Sequence, residues 1–149
     1  MKAVIQRVSE AQVRVDGKIV GEIRHGLALL IGIEEKDTKT DADWLIQKII
    51  NLRVFGDEKG KLNLSALDCN GEILCISQFT LIADYKKGNR PSFIRAAKLD
   101  IAIPLFDYFK QEISKSGLKI ESGIFGADMK VSLINDGPVT IVMDSQTKS

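Results

Sequence analysis

Met129-Lys130-Val131-Ser132-Leu133-Ile134-Asn135-Asp136-Gly137-Pro138-Val139-Thr140-Ile141-Val142-Met143 sets two apolar runs, 129–134 and 139–143, on either side of a Gly-Pro step. Both runs are rich in β-branched residues and read as strands. The polar Asn-Asp-Gly-Pro segment between them has two readings. One is a tight turn linking two strands, since Gly and Pro dominate turns. The other is a functional backbone. An X-Pro bond takes the cis form at a cost of only about 0.5–1 kcal/mol. A cis bond would aim the carbonyls of Gly137 and Pro138 in nearly the same direction, and glycine lets a ligand approach them closely. Two such carbonyls would sense handedness without sensing side-chain type.

Working outward from this stretch, strand-like runs recur. Residues 2–8 and 10–15 carry Val and Ile, and Asp16-Gly17 is a hairpin signal leading into 19–23. His25-Gly26 marks another turn before the dense apolar run 27–33, which reads as a buried strand. Residues 72–81 and 118–121 complete the strands. Residues 38–52 have helical spacing, with Leu45 and Ile49 as an i, i+4 pair and Thr40 or Asp41 as the cap. A second helix is read over residues 100–115, with Gly117 near its end and Pro104 in or near its first turn. The strands do not alternate regularly with helices, so a doubly wound parallel sheet is not expected. The expected fold is α+β: mostly antiparallel strands in a barrel-like or layered β body, with two main helices packed outside. Residues 1–144 are read as a single domain and 145–149 as a flexible tail.

The 149 residues carry a net charge of +1, which argues against a general nucleic-acid coat. The first residues turn polar too soon for a secretory leader, and no run nears the roughly 20 apolar residues of a membrane helix. A soluble, cytoplasmic protein is expected. Cys69 and Cys75 have neither the context of a disulfide frame nor the spacing of a zinc site. Charge is uneven, however. Lys86, Lys87, Arg90, Arg95 and Lys98 fall in residues 86–98 with no acidic residue among them. This loop is either a solvated face or a grip on phosphates.

One histidine, His25, sits in a turn and is a poor candidate for a Ser-His-Asp triad. No paired histidines, clustered cysteines or H-E-x-x-H supply a metal site, so no metal and no cofactor are expected. Ser77-Gln78-Phe79-Thr80 breaks the apolar pattern where the 72–81 strand emerges. Alternation sets Ser77 and Phe79 on one face and Gln78 and Thr80 on the other. These are either hydrogen-bonded strand-end residues or an ester-binding pocket, with backbone N–H groups near Phe79 and Thr80 receiving an oxyanion.

Five motifs occur in order: Ala-Val-Ile-Gln-Arg-Val at 3–8, Ser-Gln-Phe-Thr-Leu at 77–81, Arg-Pro-Ser-Phe at 90–93, Gly-Ile-Phe-Gly-Ala-Asp-Met at 123–129 and Asn-Asp-Gly-Pro-Val-Thr at 135–140. Together they resemble the D-aminoacyl-tRNA deacylase family over nearly the full chain. The resemblance implies a homodimer that hydrolyses the ester between a D-amino acid and tRNA, and that also clears glycine mischarged on tRNA(Ala). It implies that Gly137-Pro138 is a cis-proline selectivity motif inserted into the partner subunit's site. Ser77, Gln78, Phe79 and Thr80 would line the catalytic pocket. Phe125 and Met129 would flank the adenine or substrate end, and Arg7 would hold the Gly-Pro segment. The terminal 2′-hydroxyl of the tRNA would assist, with Thr80 orienting the ester. In the same frame Lys86, Lys87 and Arg90 would bind the tRNA. The rival functions are a non-catalytic RNA-binding protein, a small-molecule esterase using Ser77 or Thr80 as nucleophile, and a relative with a trans Gly-Pro bond acting on L-alanine.

Overall fold

Asp16 and Gly17 both take positive φ, 50° and 78°, the pair of left-handed residues that a tight hairpin needs. They join β1 (Lys2–Val15) to β2 (Lys18–Ile23) in the computed structural model, which describes residues 1–149. β3 (Gly26–Gly32) follows, then α1 (Lys39–Asn51), the small hairpin β4 (Phe55–Gly56) and β5 (Leu62–Leu64), and the one-turn α2 (Ala66–Cys69). β6 (Glu72–Ser77), α3 (Leu99–Ser114), β7 (Ile120–Ser122) and β8 (Lys130–Asp144) complete the chain. The main sheet runs β2-β1-β3-β6-β7, with β8 along the other side of β1. β2 returns toward β7, where the Glu22 amide donates to Glu121 Oε1 at 3.3 Å, so the sheet curls into a nearly closed barrel. The α+β expectation holds. The pairings β3–β6 and β6–β7 are parallel and the rest antiparallel.

The apolar runs in β3 and β6 are continuous because both faces of these strands are buried. Leu27, Leu29, Ile31, Ile73 and Cys75 face a large core shared with α1 and α3. The alternate residues Ala28, Leu74 and Ile76 face a smaller core with Val8, Val13 and Ile23 inside the curl. Burial pushes the Cys75 thiol up to about 12, so it stays protonated as a small apolar filler.

Several local expectations are corrected. Thr38 is the cap of α1, and Asp41 reaches back to its amide at 2.9 Å. Runs 2–8 and 10–15 form one strand, β1. Pro104 lies inside α3, beyond the first turn. Both Pro104 and Asp100, whose carbonyl loses its partner, are exposed, so water can satisfy that carbonyl. Residues 145–149, read as a loose tail, have definite partners. Ser145 is buried, accepts from the Met1 ammonium at 2.8 Å and donates to Asp41 at 2.7 Å. Gln146 donates to Asp37 at 2.8 Å, and the Lys148 ammonium sits 4.9 Å from the Trp44 ring centre. Composition alone gives no sign of these contacts, because all of them join residues more than 100 positions apart.

Candidate functional site

The two runs around Gly137-Pro138 are one strand, not two strands joined by a turn. Gln6 pairs with Thr140 and Val8 with Asn135, so residues 136–139 bulge out opposite Arg7. The bulge is stitched by side chains where the ladder is interrupted. Asn135 Oδ1 accepts from the Val139 amide at 2.8 Å, and its Nδ2 donates to Thr140 Oγ1 at 3.0 Å. Arg7 donates through Nε to the Asp136 carbonyl at 2.8 Å and through a terminal nitrogen to the Val54 carbonyl at 2.7 Å. The segment 136–138 is exposed, and the Gly137–Pro138 peptide bond is cis. Gly137 has φ +151°, and a Cβ there would lie 2.8 Å from the Val139 amide nitrogen. Asn135 was not singled out from sequence. An Asn two residues before the glycine of a Gly-Pro step is the signal that would have found it, since its amide can mimic backbone.

A cleft of about 390 Å³ opens at the far end of β3 and β6. Ser77, Gln78, Phe79, Phe125 and Met129 line it, together with Ile31, Ile33, Leu99 and Val131. Beyond Ser77 the chain leaves the strand and forms a single 3-10 turn, Phe79–Leu81. Strict alternation over 77–80 therefore fails, since Ser77, Gln78 and Phe79 all line the cleft; Thr80, expected to line it as well, is not among its lining residues, and its Oγ1 accepts from the Gln78 side-chain amide. Gly32 makes room for this turn. A Cβ on Gly32 would lie 2.9 Å from Leu81 Cβ and 3.1 Å from the Gln78 carbonyl oxygen. Gly32→Ala is accordingly expected to displace the 78–81 turn and lower kcat about tenfold or more, because misplacing a positioned group is costly. Steady-state rates beside a thermal melt test this, and an unchanged kcat would remove Gly32 from the site's support.

Phe125 packs on Phe106 with ring centres 5.9 Å apart, which ties the cleft wall to α3. Asp128 is the one ionisable side chain lining the cleft, and the sequence reading passed over it. Its carboxylate is 87% exposed and lies 3.2 Å from Lys130 Nζ, so it occupies the rim. His25 lies outside this cleft, exposed, with its ring edge-on to Phe55. Cys75 is in the core and protonated, as argued above. Apart from Asp128 at the rim, the polar side chains lining the cleft are thus one hydroxyl, Ser77, and one carboxamide, Gln78.

Within one chain the Gly137-Pro138 bulge and the cleft are far apart. Arg7, which holds the bulge, pairs with Leu27 at the start of β3, whereas the cleft lies beyond Ile31 at its end. The basic loop adjoins the cleft instead. Asp84 and Ser92 exchange both backbone bonds at 2.7 Å, closing a loop that exposes Lys86, Lys87 and Arg90. Phe93, next to that rung, packs edge-on against Phe79 at 5.1 Å. Arg95 is drawn out of the basic cluster by Glu34, 3.2 Å away. No helix is long and apolar enough to cross a membrane.

A model of the family described as D-Tyr-tRNA(Tyr) deacylase matches residues 4–144. Proteins named D-aminoacyl-tRNA deacylase are similar over nearly their whole length. That of Phocaeicola vulgatus is 59% identical and that of Flavobacterium psychrophilum 58%, each over 99% of both chains. That of Bacillus thuringiensis is 56% identical over 98% of this chain and all of its own. A solved structure titled c-Myc DNA Unwinding Element Binding Protein is 43% identical, covers 97% of this chain and 98% of its own, and superposes with a TM-score of 0.91. A probable eukaryotic D-amino acid tRNA deacylase shares the fold at a TM-score of 0.83 with 16% identity, covering 95% of this chain and 97% of its own. The class these similarities define is a hydrolase. The chain belongs to the D-aminoacyl-tRNA deacylase family.

Proposed function

We propose that the chain hydrolyses the ester joining a D-amino acid to the 3′ end of tRNA, releasing both, and that it also removes glycine mischarged on tRNA(Ala). The reading rests on one observation above all. The bulge carrying Gly137 and Pro138 is exposed, pinned by Arg7 and Asn135, and remote from the chain's own cleft. A rigid, outward-facing backbone with no side chain at Gly137 suits insertion into the cleft of a second copy, so the working form is a homodimer. β8, which carries the bulge, also exposes Ile134 and Val142, at 54% and 66%, as an edge strand needing a cover. In the composite site the Gly137 and Pro138 carbonyls stand against the reacting amino acid's Cα. An L-residue would drive its Cβ into them. A D-residue would point away, and glycine would pass for want of a Cβ.

The chemistry follows from what the cleft holds. An aminoacyl ester is already activated; Ser77 and Gln78 orient it, with Thr80 acting from beside the cleft through its contact with Gln78. Phe79 and Thr80 supply the first amides of their turn, which have no acceptor within it and suit a developing oxyanion. Water attacks the ester carbon, the tetrahedral intermediate collapses, and the 3′-oxygen leaves with a proton, assisted by the neighbouring 2′-hydroxyl. Phe125 and Met129 flank the terminal adenosine. Lys86, Lys87 and Arg90 contact the acceptor-end phosphates. The setting is cytoplasmic, where aminoacyl-tRNA is made and used.

The deciding measurement is deacylation of matched D-, L- and glycyl-tRNA: D-forms and glycine should be cleaved and L-forms spared. Equal rates on D- and L-forms would end this reading. Thr80→Ala is expected to keep measurable activity, while a substrate with 2′-deoxy terminal adenosine should slow by about 10²–10³. A dead Thr80→Ala with normal turnover of the 2′-deoxy substrate would favour a covalent hydroxyl nucleophile. The triple replacement of Lys86, Lys87 and Arg90 with alanine should weaken all aminoacyl-tRNAs alike. It should also flatten the salt dependence of binding by about 0.7 per lost contact. Binding without turnover is the second reading, which the nucleic-acid-binding title of the 43% identical structure favours. Turnover of any D-ester excludes it.

A further inference from the structure

Five of the thirteen large apolar side chains left exposed, Phe79, Tyr85, Ile94, Leu99 and Ile103, fall within one stretch of chain, residues 79–103. Tyr85 is 71% exposed, and its position is built rather than loose. The Asp84–Ser92 rung closes the loop immediately before it, and Asp84 Oδ1 accepts from the Lys86 amide at 3.0 Å immediately after it. The backbone on both sides of Tyr85 is thereby held by one aspartate, and its ring stands clear of the core. Lys86, Lys87, Arg90 and Lys98 follow with no carboxylate between residues 85 and 98. Of the basic side chains in this stretch, Arg95 alone is engaged by an acid, Glu34.

An exposed aromatic ring followed by unpaired cations, with no acidic residue from 85 to 98 and the neighbouring Asp84 turned to the Lys86 amide, matches one kind of partner: a polyanion that also presents flat π faces. Single-stranded nucleic acid has both features, and stacking tolerates any base. A duplex hides its base faces in its own stack, so the unpaired end of an RNA fits and its paired stem does not. The loop is also continuous with the cleft, through Phe93 against Phe79 at the mouth. A chain whose last nucleoside enters the cleft therefore runs out past Phe79 toward Tyr85.

We infer that Tyr85 is a stacking platform for an unpaired nucleotide upstream of the terminal adenosine, so that the enzyme reads a single-stranded 3′ tail as well as its last nucleoside. This rests on the reading of the cleft given above. The phosphates of the same tail meet Lys86, Lys87 and Arg90, while the base meets the Tyr85 ring. Affinity contributed by the ring is independent of salt, and that contributed by the cations is not.

The test uses the intact protein and short 5′-labelled RNA tails ending in adenosine that carries an amide-linked D-amino acid, which cannot be hydrolysed. Binding is read by fluorescence anisotropy, with abasic replacements made one at a time along the tail. Tyr85→Ala should weaken binding about 5- to 150-fold, Tyr85→Phe should restore it to within about threefold, and the salt slope should stay that of the unmodified protein. One abasic position should cause the same loss in the unmodified protein and no further loss in Tyr85→Ala. Unchanged affinity, or a loss in Tyr85→Ala that persists at every abasic position, overturns the platform. A change in oligomeric mass with Tyr85→Ala overturns it too, assigning the ring to a contact between copies. Hydrolysis of D-aminoacyl-adenosine, which has no upstream nucleotide, separates the two levels. If the unmodified protein cleaves it while Tyr85→Ala binds tails normally, the platform alone fails. If neither this ester nor D-aminoacyl-tRNA is cleaved, the reading of the cleft fails.

Discussion

Replacing Gly137 with alanine is expected to lower D-aminoacyl-tRNA deacylation by about 10²-fold or more while leaving the melting temperature within a few degrees. The added Cβ would lie 2.8 Å from both the amide nitrogen and Cγ2 of Val139, and 3.2 Å from the Arg7 guanidinium. Two of these neighbours cannot swing aside: the amide belongs to backbone, and Arg7 is tied to the Asp136 and Val54 carbonyls. At φ +151° an L side chain is also unfavourable on its own account. The bulge must therefore move, and a displacement of about 1 Å at a positioned group is enough for a 10²-fold loss. Stability should be largely spared because residues 136–138 are exposed and make no core contact. Single-turnover rates on D- and glycyl-tRNA, beside a circular-dichroism melt, measure both effects. A folded Gly137→Ala variant with unimpaired rates would show that this backbone does not meet the substrate. Arg7→Lys should produce a smaller loss of the same kind, since an ammonium cannot reproduce the two divergent bonds of the guanidinium.

Asp37→Ala is expected to destabilise the fold by about 3–5 kcal/mol, or a fall in melting temperature of about 10 °C or more. The Met1 ammonium and the Asp37 carboxylate are both fully buried and lie 2.6 Å apart. Asp37 also accepts from the Glu34 amide at 2.7 Å and from Gln146 at 2.8 Å. Removing the carboxylate strands a buried cation and releases the turn before α1 together with the C-terminal segment. Hydrogen exchange should show residues 145–149 losing protection first. A melting temperature unchanged to within about 2 °C would mean that the ammonium finds water in place of Asp37. Asp41 adds a smaller, pH-dependent part. Burial alone would raise its carboxyl, but hydrogen bonds from Thr38 and Ser145 and the nearby Met1 ammonium outweigh that and hold it below its ordinary 3.8. A lowered folded value means stability that is present above pH 3.8 and lost as the pH falls through that lower value. Thermal melts between pH 5 and 2, with Asp41→Asn as control, should show this small loss in the unmodified protein only.

Local chemistry was legible residue by residue. Asp16-Gly17 announced its hairpin because few residue pairs accept two positive φ values in succession. The runs in β3 and β6 announced buried strands, and the 3.6-residue spacing announced α1 and α3 to within a residue or so. The Ser77–Thr80 stretch stood out because polar side chains interrupted an apolar run at a strand end. Those signals depend on a residue's own conformational limits and on near neighbours, which the sequence displays directly.

What lay beyond it depended on pairing across the chain. A break at Asn135–Pro138 looks like a turn when only the flanking runs are visible; it is a bulge because β1 is one continuous strand opposite it and both runs pair with that one strand. The same long strand makes Arg7 and Asn135 its fasteners, though they lie 128 positions apart in the numbering. Asp128 reached the cleft rim, and Ser145 the Met1 ammonium, through the course of backbone that neither residue controls. Sequence by itself determined the fold class and the groups available for chemistry, since these follow from residue types and short-range spacing, and its five motifs carried the resemblance to the family. Tertiary structure alone decided that the Gly137-Pro138 backbone and the cleft stand at opposite ends of β3. Which end of a sheet a segment occupies is set by long-range register, and register is fixed by the packing of both cores together.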